Sequence, residues 1–182
     1  MRPLVLATIL APALAVPAVA ACPPLPDRTA ELADLFDAAR AAPNEAAGQI
    51  LSRQMWAIWT APPDEAAGAL LNRGATALRV SDFLAAIATF DRLVAYCPDW
   101  AEGYNQRAFA YFLSGQYPKA RDDLEKVVEI NPDHVGALTG LALTMTALGD
   151  EDAAQTWLRR ALDLNPWVPE RHMLKEPPGQ EL

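Results

Sequence analysis

Few side chains in this 182-residue sequence could do chemistry: two cysteines, Cys22 and Cys97, two histidines, His134 and His172, and many scattered carboxylates. A metal site needs several His, Cys, Asp or Glu ligands brought together, and no cluster of ligand spacing accompanies either histidine. His134 falls at a helix start, where it is expected to be exposed or to help the cap, and His172 lies in a proline-bounded tail. General acid–base catalysis needs a carboxylate pair held in a cleft. The most acidic run, "ARDDLEKVVE", instead alternates Asp122, Asp123, Glu125 and Glu129 with an apolar stripe, the pattern of a solvated helix face. No glycine loop that would cradle a phosphate occurs, and no serine stands in a nucleophile elbow. The expectation is a chain without catalytic residues, metal or cofactor, with a hydrolase built on an unrecognised carboxylate site as the enzymatic alternative.

The cysteines depend on compartment. The opening "MRPLVLATILAPALAVPAVAAC" has one arginine, an apolar run and small residues at Ala18 and Ala20, as a secretory signal does, with cleavage expected after Ala20. Pro12 and Pro17 interrupt the run, which falls short of the roughly 20 residues of a membrane-spanning helix. No later stretch is long and apolar enough, so no transmembrane segment is expected and the mature chain reads as exported, to a bacterial periplasm. There Cys22 and Cys97 are candidates for a disulfide that would tether the mature N-terminus to a helix end. In the alternative, Val19-Ala20-Ala21-Cys22 resembles a lipobox, and Cys22 is acylated as the anchor of a membrane-bound lipoprotein. The two fates exclude each other. Redox activity at Cys97 would want a second cysteine in Cys-x-x-Cys spacing, which is missing.

A formal charge of −8 makes the surface repel phosphate backbones, which argues against nucleic acid as a partner. A hydrophobic content of 52% suffices for one domain with a substantial core.

What positions these residues is a repeat. "AYCPD", "EINPD" and "DLNPW" place Pro98, Pro132 and Pro166 each 34 residues apart. Ala86, Ala120 and Ala154 keep the same interval, followed by Phe90, Leu124 and Leu158, then Leu93, Val127 and Ala161: one apolar helical stripe written three times. Gly74, Ala108 and Ala142 give each preceding helix a small position beside a large one at Leu70, Tyr104 and Leu138. Gly115 and Gly149 are expected to end helices in the left-handed conformation. Asp99 with Glu102 has capping-box spacing, and Asp133 is expected to cap the next helix. Upstream, residues 29–60 form another helical hairpin, with Asn44 as a cap. Its Trp56 and Trp59 are expected to pack against the first repeat as an end cap, the alternative being exposed binding anchors.

Residues 67–166 resemble the tetratricopeptide repeat, a 34-residue helix-turn-helix unit. Leu138, Leu141, Ala142, Met145, Ala154, Leu158, Ala161 and Pro166 carry the signature in the third unit. Tyr104, Ala108, Tyr111, Ala120 and Pro132 keep it in the second, where Arg107 replaces an expected leucine, and Gly74, Ala86, Phe90 and Pro98 keep it in the first. The resemblance implies an all-α, right-handed solenoid: a signal at 1–20, a proline-rich lead and capping hairpin at 21–63, three units at about 64–98, 99–132 and 133–166, and a tail at 167–182. Trp167, Met173 and Leu174 of that tail are expected to fold back over the last helix.

It also implies a concave groove lined by the first helices, in which Asn105, Phe109 and Phe112 lie between Leu78 and Arg79 on one side and Thr139, Leu143 and Thr146 on the other. The expected partner is another protein or peptide. Leu71, Ala75, Gly136 and Gly140 stand where carboxylate-clamping members of the family place polar or basic groups, so a hydrophobic or amphipathic segment suits the groove better than an acidic one.

Overall fold

The computed structural model describes residues 21–175, so the proposed signal and the last seven residues lie outside it. Eight helices follow in order: α1 (Thr29–Ala41), α2 (Glu45–Trp59), α3 (Glu65–Arg79), α4 (Phe83–Tyr96), α5 (Ala101–Leu113), α6 (Tyr117–Ile130), α7 (Val135–Leu148) and α8 (Glu151–Leu164), then a 3-10 turn at Pro169–Met173. None of the described helices is long and apolar enough to cross a membrane.

Local chemistry fixes most helix starts. The side chains of Asn44, Asp64, Asp82 and Asp150 each accept from the backbone N–H three residues on. The capping expected of Asp99 and Asp133 is not made. Tight turns from Cys97 to Trp100 and from Asn131 to His134 delay the next helix by one residue, which puts both aspartates outside the cap position. Helix α5 therefore has Trp100 at its N-cap position and no side-chain cap, and α7 is capped by His134, whose Nδ1 accepts from the Ala137 N–H at 3.1 Å.

The turn inside each unit is also repeated. Asp82, Gln116 and Asp150 each donate backbone N–H to the carbonyl five residues back, at 2.9 Å, across a residue with positive φ. That residue is Gly115 (φ 75°), Gly149 (φ 84°) and, in the first unit, Ser81 (φ 59°).

Three pairs of helices then stack, α3 with α4, α5 with α6 and α7 with α8. The repeated stripe of Ala86, Phe90 and Leu93, Ala120, Leu124 and Val127, Ala154, Leu158 and Ala161 is buried throughout. The acidic run on α6 is not wholly solvated, however. Asp123 is buried, because Arg107 of α5 reaches it with two nitrogens at 2.7 and 2.8 Å while a third bonds Asp91 of α4 at 2.8 Å. The arginine at a leucine position thus ties three helices together, and the two carboxylates hold its pKa above the usual value.

The N-terminal hairpin does not pack against the first repeat; it covers the last one. Leu32, Phe36, Ala39, Met55 and Trp59 share a core with Val135, Leu138, Ala161 and Val168. Arg40 donates to the Asp163 carbonyl at 3.1 Å, Asn165 to Ser52 Oγ at 2.8 Å, and Trp167 Nε1 to the Ala39 carbonyl at 2.9 Å. Gly48 makes this docking possible, because a Cβ there would lie 2.1 Å from the Trp167 ring. Of the tail residues expected to fold back over α8, Trp167 docks on the hairpin instead and Leu174 stays exposed; the tail meets α8 through Gln155, which bonds the Met173 carbonyl and the Lys175 N–H at 3.0 and 2.8 Å.

The lead into α1 is fixed by a disulfide between Cys22 and Cys97, Cα–Cα 5.1 Å, across a sequence separation of 75. It ties the lead to the end of α4, so the hairpin is anchored near the first unit while covering the third.

Candidate functional site

Small side chains on α7 open the candidate site. Gly136 and Gly140 let Trp56 and Leu124 approach α7 closely, and a cleft of about 330 Å³ forms between α5 and α7, walled by Phe109, Phe112, Leu124 and Leu143. Trp56 enters from α2 and lies against Gly136, where a Cβ would be 2.6 Å from the indole. Phe109 stays 50% exposed and Trp56 38%, while Phe112 leans on Tyr117 with ring centroids 5.4 Å apart. Asn105, Gln106, Thr139 and Thr144 add polar atoms, and Glu170 is the charged residue of the lining.

Of the residues assigned to the groove from sequence, Asn105, Phe109, Phe112, Thr139 and Leu143 line this cleft. Leu78, Arg79 and Thr146 do not. Leu78 packs into the α3–α4 core, Arg79 turns back to Thr76 Oγ1 at 2.7 Å, and Thr146 gives its hydroxyl to the Ala142 carbonyl at 3.0 Å. The tryptophans expected to pack against the first repeat lie on the third instead: Trp59 is buried in the cap there, and Trp56, 38% exposed, forms a wall of the cleft.

Behind the cleft lies a polar cluster that the sequence did not disclose. Glu102 is buried and accepts from Asn105 Nδ2 at 3.1 Å and Gln106 Nε2 at 2.5 Å. His134, expected to be exposed or to help its cap, is a cap and is fully buried. Since its Nδ1 accepts from Ala137, the ring proton belongs on Nε2, 3.4 Å from Glu102 Oε2. Trp59 stacks on the imidazole at 4.3 Å, and Trp56 meets it edge-on at 5.8 Å. Glu102 thereby holds the side-chain amides of Asn105 and Gln106, both of which line the cleft, and the two tryptophans of α2 close over His134.

Two family models, each described as tetratricopeptide repeat, match residues 74–138 and 111–176. This chain belongs to the tetratricopeptide-repeat family. A TPR repeat-containing protein of Rhizobium etli is 38% identical over 82 residues, 45% of this chain and 40% of the relative. A tetratricopeptide repeat protein 36 homolog of Nematostella vectensis is 32% identical over 65 residues, 36% of each chain. The match thus spans less than half the length of either relative.

Among solved structures, the TPR domain of Arabidopsis OM64 superposes with a TM-score of 0.58 at 21% identity, over 60% of this chain and 90% of that one. The first TPR of Spaghetti (RPAP3), bound to the HSP90 peptide SRMEEVD, gives 0.57 at 22%, over 59% and 85%. MamA gives 0.53 at 21%, over 72% and 74%. At such identities the likeness is one of fold. Within the tetratricopeptide-repeat fold this chain is an all-α solenoid whose helix pairs are three consecutive units, with the preceding hairpin set on the last of them.

Proposed function

We propose that this tetratricopeptide-repeat protein is an exported, non-catalytic adaptor that docks a hydrophobic or amphipathic segment of another protein in the cleft between α2, α5 and α7. The observation that carries this reading is the pair of large aromatic rings, Phe109 and Trp56, left partly open to water from two different helices around one concave, mainly apolar site. Side chains of this kind serve as interface anchors because they bury much area for little lost freedom. The RPAP3 neighbour holds an acidic HSP90 peptide. Here glycines and apolar groups line the cleft and Glu170 adds a negative charge, which favours an apolar occupant over an acidic one.

Export is supported by the Cys22–Cys97 disulfide, a bond that persists in oxidising compartments. The same bond counts against acylation at Cys22, since one sulfur cannot serve both.

A photoreactive side chain at position 109 tests the site. It should cross-link a discrete partner in periplasmic extract, while the same group at exposed Ala85 on α4 should not. Equal labelling from both positions, or none from 109, would remove the cleft from consideration.

A further inference from the structure

The hairpin that precedes the first repeat in sequence does not cover it in space. With α1 and α2 on the α7–α8 end, no other described helix covers the outward side of α3 and α4, where a longer stack would place another unit. A shallow groove runs between those two helices, lined by Ala66, Ala69, Leu70, Arg73, Arg92 and Tyr96. In the turn and first residues that join the same two helices, Val80 at 72% and Leu84 at 79% are the most exposed large apolar side chains among the described residues. At the opposite end of the molecule, α1 buries Leu32, Phe36 and Ala39 and leaves Ala30, Ala33, Asp34, Asp37 and Ala38 exposed. Their spacing puts them on one stripe: small side chains and two carboxylates. Asp34, Arg73 and Arg92 take part in no ion pair among the described residues, and Asp37 is held only by Arg40 of its own helix.

We propose that these two ends recognise each other, so that the protein associates with further copies of itself head to tail, the acidic α1 stripe of one copy lying in the α3–α4 groove of the next. Alanines on both surfaces let the helices approach closely, and the guanidinium groups of the groove meet carboxylates. Pairing the groove with its own copy would instead oppose Arg73 and Arg92 to like charges. The hairpin of the neighbouring copy thus takes the place that an earlier repeat would fill. Because the contact joins two different patches, each added copy presents a fresh end, and association gives open chains rather than a closed dimer. This surface is separate from the cleft, and the inference does not rest on the cleft's occupant.

Sedimentation velocity of the disulfide-intact full chain over a range of micromolar concentrations tests it. The natural protein should show a sedimentation coefficient that rises with concentration and falls back at high salt, because the ion pairs are exposed. An Arg73→Glu, Arg92→Glu variant and an Asp34→Lys, Asp37→Lys variant should each be monomeric with unchanged helical circular dichroism. An equimolar mixture of the two should associate again, since the reversed ends match. Arg73→Ala with Arg92→Ala, which adds no new charge, should weaken association at least tenfold. A natural protein that stays monomeric, a mixture that stays monomeric, or a dimer that survives in both reversed variants would overturn the proposal.

Discussion

Trp56 of α2 lies over Gly136 of α7 so closely that a methyl group at 136 would fall 2.6 Å from the indole. This contact seats the N-terminal hairpin against the third repeat, and both residues line the cleft. Gly136→Ala must push the ring aside and should destabilise the fold by about 1–3 kcal/mol, the usual range for an overpacked contact. Trp56→Ala in the same chain should recover most of that loss, which a double-mutant cycle in urea would measure. Additive effects would mean that the two residues do not press on each other.

The first repeat makes a similar trade of volume. A Cβ on Gly74 would lie 2.2 Å from the fully buried Phe90 ring, whereas the equivalent pairs in the later units are Ala108 with Leu124 and Ala142 with Leu158. Gly74→Ala alone should lower the thermal midpoint. Combined with Phe90→Leu, which installs the pairing of the other units, it should cost clearly less than the sum of the two single changes.

Ser81 holds φ 59° at the position where the other two units have glycine. A left-handed conformation costs a side-chain-bearing residue about 1–2 kcal/mol, part of which glycine returns through its larger unfolded-state entropy. Ser81→Gly should therefore raise stability by up to about 1 kcal/mol in chemical denaturation. A lower midpoint would show that the serine side chain contributes more than its backbone strain costs.

The sequence made these repeats legible because each unit is written locally, in helical stripes and in small residues at a fixed interval. It did not reveal which end the hairpin would cover, because that depends on how the curved stack brings α8 within reach of α1. Asp123 read as solvated because it belongs to a run of carboxylates alternating with the apolar stripe of α6, while the group that buries it, Arg107, lies on another helix. Arg107 at a leucine position was the available clue to a buried counter-charge. The Glu102–His134 pair had no local signal, since its members sit on helices of different units and Glu102 fits a capping-box spacing equally well.

Asp64 caps α3 and also accepts from the Tyr96 hydroxyl at 2.5 Å. Its carboxyl is held below the ordinary carboxylate range, chiefly by the Ala67 N–H and next by the Tyr96 hydroxyl. Because the folded-state pKa lies below the unfolded one, this contribution is complete above the unfolded value and is lost as pH falls through the folded one. The Tyr96 phenol is raised by its bond to Asp64, so its contribution is complete below the unfolded tyrosine value and is lost as pH rises through the folded one. Tyr96→Phe should move the Asp64 titration, followed by carboxyl NMR, upward towards the ordinary range. An unchanged titration would show that the backbone cap alone sets it.

The adaptor proposed above binds an apolar segment of its partner in the cleft between α2, α5 and α7. The direct measurement is the affinity of the segment cross-linked from position 109, titrated against the natural protein and against Phe109→Ala, Phe112→Ala, with both first shown to be helical. Removing two anchors of this kind should weaken binding at least tenfold while the fold persists. Equal affinities for the two folded proteins would contradict the account and place recognition on another face.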